Sequence, residues 1–200
     1  MKMNEIINYL NELYPNPKCE LNFNKDYELL IAIMLSAQST DKRVNEATKV
    51  LFNKYKSIDE LYNADIEDIK SIIKPIGNQN KKAIYIKEIA NFLKHNKITN
   101  DRKKLESING IGRKTVNLLL GLLFNEQCLP IDTHITRVSK RLNLVNKNDN
   151  VNIIEKKLTK KFKGYDLVRL HLQLVLFGRY KCKAIKPICD DCKLKEICIK

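Results

Sequence analysis

No apolar run in this sequence is long enough to cross a membrane. The longest candidates, residues 29–35 and 116–124, fall well short of the ~20 consecutive apolar residues that a spanning helix needs. Residues 1–9 lack the apolar stretch of a secretory signal, which points to a cytoplasmic protein. Strict alternation of apolar and polar residues is missing as well. The one Asn-Gly pair, Asn109-Gly110, falls between helical patterns, so nothing marks a hairpin or a sheet. With no low-complexity segment and no long linker, 200 residues make one or two compact domains with ample length for a core. Acidic residues are in short supply: 23 Asp and Glu stand against 37 Lys and Arg, a formal charge of +14. Such a surplus attracts polyanions, nucleic acid first among them. Charge alone does not separate that partner from a lysine-rich composition.

What is present is helical periodicity, and the fold class it implies is all-α. Residues 27–37 form a dense apolar stretch too long for an ordinary strand. Asp41 is placed to cap the next helix, with Val44, Ala47, Leu51 and Tyr55 inward. Ser57 and Glu60 have capping-box spacing. Ala83, Ile86, Ala90 and Leu93 share one face of a helix over 82–94; Val151, Ile154, Leu158 and Phe162 share another; 113–124 and 165–177 are further helices. Breaks are expected at 15–18, 75–77, 110–112, 125–131 and 146–150.

Residues 105–116 read L-E-S-I-N-G-I-G-R-K-T-V. Gly110 and Gly112 permit a sharp turn, with Ile111 as its buried anchor, and a helix starts near Arg113. Backbone amides at a helix start bind phosphate without reading sequence; a joint that needs glycine only for packing would look the same. Lys114 follows in the first helical turn, where the dipole and Arg113 disfavour a cation and favour the neutral, nucleophilic amine. In so lysine-rich a chain, a solvated lysine is the plain alternative. Asp132, 18 residues on, precedes another amphipathic segment. A helix from Arg113 to Phe124 carries the chain about 18 Å away at about 1.5 Å per residue, and seven extended residues span about 23 Å back. Asp132 can therefore return to the Lys114 end. An amine and a carboxylate facing one cleft suit attack at a sugar carbon from which a base departs. Asp132 can also be an N-cap, and the two roles are compatible.

Four of the six cysteines, Cys182, Cys189, Cys192 and Cys198, fall within the last 19 residues, with six, two and five residues between them. In a cytoplasmic protein this points to a metal rather than disulfides. Four thiolates alone permit zinc or a [4Fe–4S] cluster. Cys19 and Cys128 read as small buried residues. His134 lines the site or simply packs, and His95 and His171 carry no assigned role.

Taken together, G-I-G-R-K-T at 110–115 and I-D-T-H-I-T-R-V at 131–138 resemble the catalytic core of the helix-hairpin-helix DNA glycosylases, in their endonuclease III branch. The resemblance extends through E-L-N-F at 20–23, L-S-A-Q-S-T-D at 35–41, H-L-Q-L-V-L-F-G-R-Y at 171–180 and the cysteine spacing, so it covers nearly the whole chain in order. It implies two helical domains flanking a DNA-binding cleft. One is a six-helix bundle over 18–126 that ends in the hairpin; the other joins 1–17 to 127–200. It implies Lys114 as nucleophile and Schiff-base lysine, Asp132 as the essential carboxylate, and a [4Fe–4S] cluster on Cys182, Cys189, Cys192 and Cys198. DNA contacts would come from Gln38, which fills the gap left by a flipped nucleotide, from Gly110, Gly112 and Arg113, and from Lys183 and Lys186 in the first cysteine loop. The implied activity is that of a bifunctional glycosylase/lyase of base excision repair, acting as a monomer on oxidised pyrimidines in damaged duplex DNA. Two departures bear on lesion choice: Asn78 and Gln79 follow Gly77 where the family offers a bulky apolar wedge, and Asn109 replaces a common proline. A binding-only module, a pyrimidine-dimer or mismatch glycosylase, and a zinc-bearing interaction protein are the alternatives.

Overall fold

The computed structural model describes residues 2–199. Among them there are eleven α-helices and no strand. The chain divides into two compact units. The middle unit is Cys19–Phe124, and the terminal unit joins Met1–Lys18 to Asn125–Lys200.

The middle unit holds α2 (Asp26–Leu35), α3 (Asp41–Lys54), α4 (Ile58–Asn63), α5 (Ile66–Ile73), α6 (Gln79–His95), α7 (Arg102–Glu106) and α8 (Arg113–Phe124). That is seven α-helical segments where six are expected, and two of them, α4 and α7, are barely longer than a turn. α2 is apolar on every side and sits at the centre: Leu29 to Leu35 are all buried. Its start is fixed by the buried Glu28, whose carboxylate accepts from the amides of Asn24 at 2.7 Å and Lys25 at 3.3 Å. Around it pack Val44, Ala47 and Leu51 of α3, Ile86 and Ala90 of α6, and Val116, Leu119 and Leu120 of α8.

Three details differ from the periodicity reading. Thr40, not Asp41, caps α3: its hydroxyl accepts from the Arg43 amide, and Asp41 falls at the first helical position, where a carboxylate still meets the dipole. Ser57 does cap α4, but Glu60 turns back to the Lys56 amide instead of closing the box on Ser57. Residues 74–76 are a 3-10 turn rather than an open break.

The terminal unit has its own core, built from α1 (Lys2–Leu13), α9 (Thr133–Arg141), α10 (Val151–Lys161) and α11 (Leu167–Leu176). Ile154, Leu158 and Phe162 are buried as expected; Val151 is exposed, because it lies just past the Asn150 cap and points off the stripe. α1 is stitched to the rest by the buried Gln173, which donates to Asn11 and to the Tyr14 carbonyl. After α11 the chain widens into a π-helical turn, Phe177–Lys181, closed by the Cys182 amide on the Phe177 carbonyl at 2.7 Å.

An ion pair joins α3 to α5. Lys54 donates to Asp68 at 2.6 Å and the Tyr55 hydroxyl donates to the other carboxylate oxygen. These bonds hold the Asp68 carboxyl below the usual carboxylate range. Burial and the same carboxylate push the Tyr55 phenol up to about 12. A depressed folded pKa stabilises above the unfolded value and is lost as pH falls through the folded one. Asp68→Asn is therefore expected to lower the unfolding midpoint at pH 7, with the gap to the native protein closing below about pH 4, the ordinary Asp range. Thermal melts across pH 2–7 measure this; a gap independent of pH would remove the ion pair from the account.

Candidate functional site

The hairpin follows from local sequence. Asp101 caps α7 by accepting from the amides of Lys103 and Lys104. Ile108 and Ile111 are buried on either side of the turn, which the Ile111 amide closes on the Ile108 carbonyl at 3.0 Å. Gly110 has φ +88, and a Cβ there would sit 2.2 Å from the Tyr85 ring, so the protein itself demands glycine. Gly112 is different. Its φ is not positive, no atom lies within 4 Å of where a Cβ would be, and its carbonyl takes the first helical hydrogen bond of α8 from Val116. Gly112, Arg113 and Lys114 are all exposed. A helix start thus emerges at the surface with Lys114 in its first turn, while Val116, Asn117, Leu119 and Leu120 anchor the other face. Gln38 is exposed in the turn after α2, with φ +57.

Asp132 belongs to the terminal unit. It is the half-buried N-cap of α9, and its carboxylate accepts from the Ile135 amide at 2.7 Å. Ile131 beside it is buried, and the buried His171 donates from Nδ1 to the Pro130 carbonyl at 2.9 Å, fixing the approach to Asp132. Further along α9, Arg137 donates to the carbonyls of Gly178 at 2.6 Å and Cys182 at 3.1 Å, and its guanidinium meets His134 Nδ1 at 3.2 Å. Burial lowers the Arg137 pKa, while Cys182 and Asp132 act in the opposite sense. Arg141 donates to the carbonyls of Lys183 at 2.7 Å and Ala184 at 3.1 Å, and to Cys182 Sγ at 3.3 Å.

The structure brings Cys182, Cys189, Cys192 and Cys198 together around one cavity of about 240 Å³, which Phe177, Ile188, Leu194 and Arg141 help to line. Among the described residues no group of His, Cys, Asp or Glu is arranged to hold a single metal ion. Lys183 and Lys186 are exposed on the first cysteine loop, Lys186 with φ +48. Cys19 and Cys128 are half-buried rather than buried.

The chain as a whole has close relatives. Residues 31–164 match the HhH-GPD superfamily of base excision DNA repair proteins. Endonuclease III of Rickettsia felis is 41% identical over 201 residues, which cover 97% of this chain and 94% of that protein. The chain belongs to the HhH-GPD superfamily, in its endonuclease III branch. Endonuclease III of Escherichia coli K12 is 40% identical over 197 residues, 97% of this chain and 93% of that protein. A structure of a trapped endonuclease III–DNA covalent intermediate superimposes with a TM-score of 0.92 at 34% identity, covering 100% of this chain and 96% of that one. A thermostable thymine-DNA glycosylase shares the fold, with a TM-score of 0.81 at 21% identity.

Two residues of this endonuclease III relative escape sequence reasoning. His171 is a buried structural donor to the Pro130 carbonyl. Lys82 is buried at 5% exposure, and its ammonium donates to the carbonyls of Leu35 and Ala37. Its signal was its register: Lys82 lies four residues before Ile86, on the apolar stripe of α6.

The two hairpin glycines make a direct contrast. Gly110→Ala is expected to cost about 2 kcal/mol or more, from positive φ and the Tyr85 clash together, and Gly112→Ala less than about 1 kcal/mol. Denaturant unfolding of both variants checks this; equal losses would contradict the geometry.

Proposed function

We propose that this DNA glycosylase and AP lyase removes oxidised pyrimidines from duplex DNA through Lys114 and then cuts the strand. The observation that carries the reading is the surface start of α8: Lys114 stands exposed in the first turn, two residues past a glycine with open space above it. The relatives are endonucleases III, and one superimposable structure is a covalent DNA intermediate.

The +14 charge draws the protein to duplex phosphates, so affinity falls steeply with salt. Gly112 and the α8 amides approach one phosphate closely, since nothing of the protein fills that space. A damaged nucleotide stacks and pairs poorly and is extruded at lower cost than a normal one, and Gln38 occupies the vacated place. The neutral Lys114 amine attacks C1′, forming a C–N bond as the C1′–base bond breaks; the base leaves with the electron pair and takes up a proton. Ionised Asp132, held in place as an N-cap, stabilises the positive charge that develops on the sugar. The sugar ring opens to an imine on Lys114. Loss of a C2′ proton then expels the 3′ phosphate by β-elimination. The protein works as a monomer in the cytoplasm, on the nucleoid.

Cys182, Cys189, Cys192 and Cys198 would hold a [4Fe–4S] cluster. The donor set supports it: four soft thiols ring a cavity wider than one ion needs, and Arg141 donates to one of the sulfurs. When bound, the cluster supplies a rigid tie for the loop that carries Lys183 and Lys186. Those two lysines, exposed on this loop, contact phosphates. The purified protein is expected to be brown, with a band near ~400 nm, and Cys192→Ser to lose that band. A colourless protein with stoichiometric zinc would replace the cluster by zinc.

The chemistry is tested by borohydride trapping on a duplex containing thymine glycol. The native protein is expected to give a covalent adduct and Lys114→Ala none. An adduct that survives in the variant assigns the nucleophile to another amine; none from native protein on any of a panel of lesions leaves a binding-only module.

A further inference from the structure

Lys82 starts from the first turn of α6, where its amide donates to the Asn78 carbonyl at 3.1 Å. Its side chain runs inward, and Nζ reaches the carbonyl oxygens of Leu35 and Ala37, each at 2.9 Å. Leu35 ends α2, and a cation is favoured at a helix C-terminus. Ala37 lies in the turn that follows. The Ser39 amide closes that turn on the Ser36 carbonyl at 3.1 Å, which leaves Ala37 and Gln38 as its two central residues. Gln38 alone of these two has positive φ, in the region that favours glycine. Turn classes differ in the orientation of the central peptide, and the oxygen of that peptide belongs to Ala37. An ammonium on that oxygen fixes the orientation, and with it the left-handed conformation of Gln38. The other end of the link is also constrained: Asn78 has φ +54 directly after Gly77 at φ +79. Burial lowers the Lys82 pKa, and the two carbonyls favour its charged form.

We propose that Lys82 is a positioning residue for base extrusion: its buried ammonium locks the Gln38 turn to the start of α6 at Asn78–Gln79 as one preformed edge. Gln38 then enters the gap of a flipped nucleotide without first reorganising its backbone. This rests on the reading of Gln38 given under the proposed function and adds what holds that residue in place.

The test compares the full-length native protein with Lys82→Met, which keeps an unbranched side chain one atom shorter and removes the donors. Hydrogen exchange read by mass spectrometry is expected to quicken at least tenfold in the peptide over 36–40, with α8 unchanged. Unchanged exchange in that peptide overturns the proposal whatever the activity. Single-turnover trapping is then measured on a thymine glycol duplex and on a single-stranded oligonucleotide with an abasic site, where no base need be displaced. The loss on the duplex should be at least five times the loss on the single strand; equal losses would show a general structural role and overturn it. Combined with Gln38→Ala, Lys82→Met should add less than twofold, since it acts through Gln38; multiplicative losses would sever the two. If the native protein traps on neither DNA, the function reading and the link to base extrusion fall together, while exchange still decides whether Lys82 holds the turn. Should Lys82→Met not fold, Lys82→Gln, which retains one donor group, takes the same measurements.

Discussion

Carbonyl groups left over where helices end are the constraint on which this structure depends, and inward-turned cations meet them. A helix leaves its last carbonyls without partners, and a buried one that stays unpaired costs about 1–3 kcal/mol. Lys87 meets those at the end of α4, donating to Ala64 at 2.7 Å, to Leu61 at 3.3 Å and to Tyr62. Lys82 does the same for α2. In the terminal unit Arg137 and Arg141 satisfy Gly178, Cys182, Lys183 and Ala184. Burial lowers the pKa of Lys82, Lys87 and Arg137. The +14 surplus therefore has two populations: a solvated one available to attract DNA, and a few buried or half-buried cations that tie down loop carbonyls.

α9 shows how this constraint reaches the chemistry. Asp132 caps its first turn and Arg141 ends it, so one short rigid element carries a carboxylate at its start and holds the first cysteine loop at its finish. The close fit of Gly178 against His134 and Arg137 keeps the element seated: a Cβ there would lie 2.8 Å from His134 Cβ. The π-helical turn at Phe177–Lys181 then delivers Cys182 to the cavity. A shift in the cysteine loop would pull on the same helix whose amide fixes Asp132. The loop and the carboxylate are thus both tied to α9, the one through Arg141 and the other through the Ile135 amide.

Most of the fold was legible because its signals are local. Apolar stripes located several of the helices, the all-apolar run at 29–35 located α2, and the start of α8 at Arg113 follows a turn in which Gly110 takes φ +88. Asp132 was legible as a cap because an acidic residue directly precedes an amphipathic run. Asp41 was misread for an instructive reason: Thr40 and Asp41 are adjacent capping candidates, and pattern alone does not say which one leaves the helix. Lys82 and His171 were hidden because their partners are main-chain carbonyls distant in sequence, which no side-chain pattern records. Among 37 basic residues a buried lysine differs from its neighbours only in register. The cysteine spacing pointed to a metal rather than disulfides, but the choice between zinc and a cluster turned on resemblance, because four thiols suit both.

Under the proposed extrusion step, polar Asn78 and Gln79 stand where the resemblance implies an apolar wedge, and Gln38 keeps the role that the resemblance implies. A wedge works by stacking into the opened step and needs little orientation. An amide works by hydrogen bonds to the base left without a partner, and those bonds fail within a few tenths of an ångström or a few tens of degrees. Replacing stacking by hydrogen bonding therefore shifts the burden from apolar area to backbone precision. Gln38 and Asn78 both occupy the left-handed region without being glycine; asparagine tolerates it, whereas a glutamine there needs neighbours to hold it. Under the proposal, the precision that Gln38 needs comes from the Lys82 ammonium on the Ala37 carbonyl.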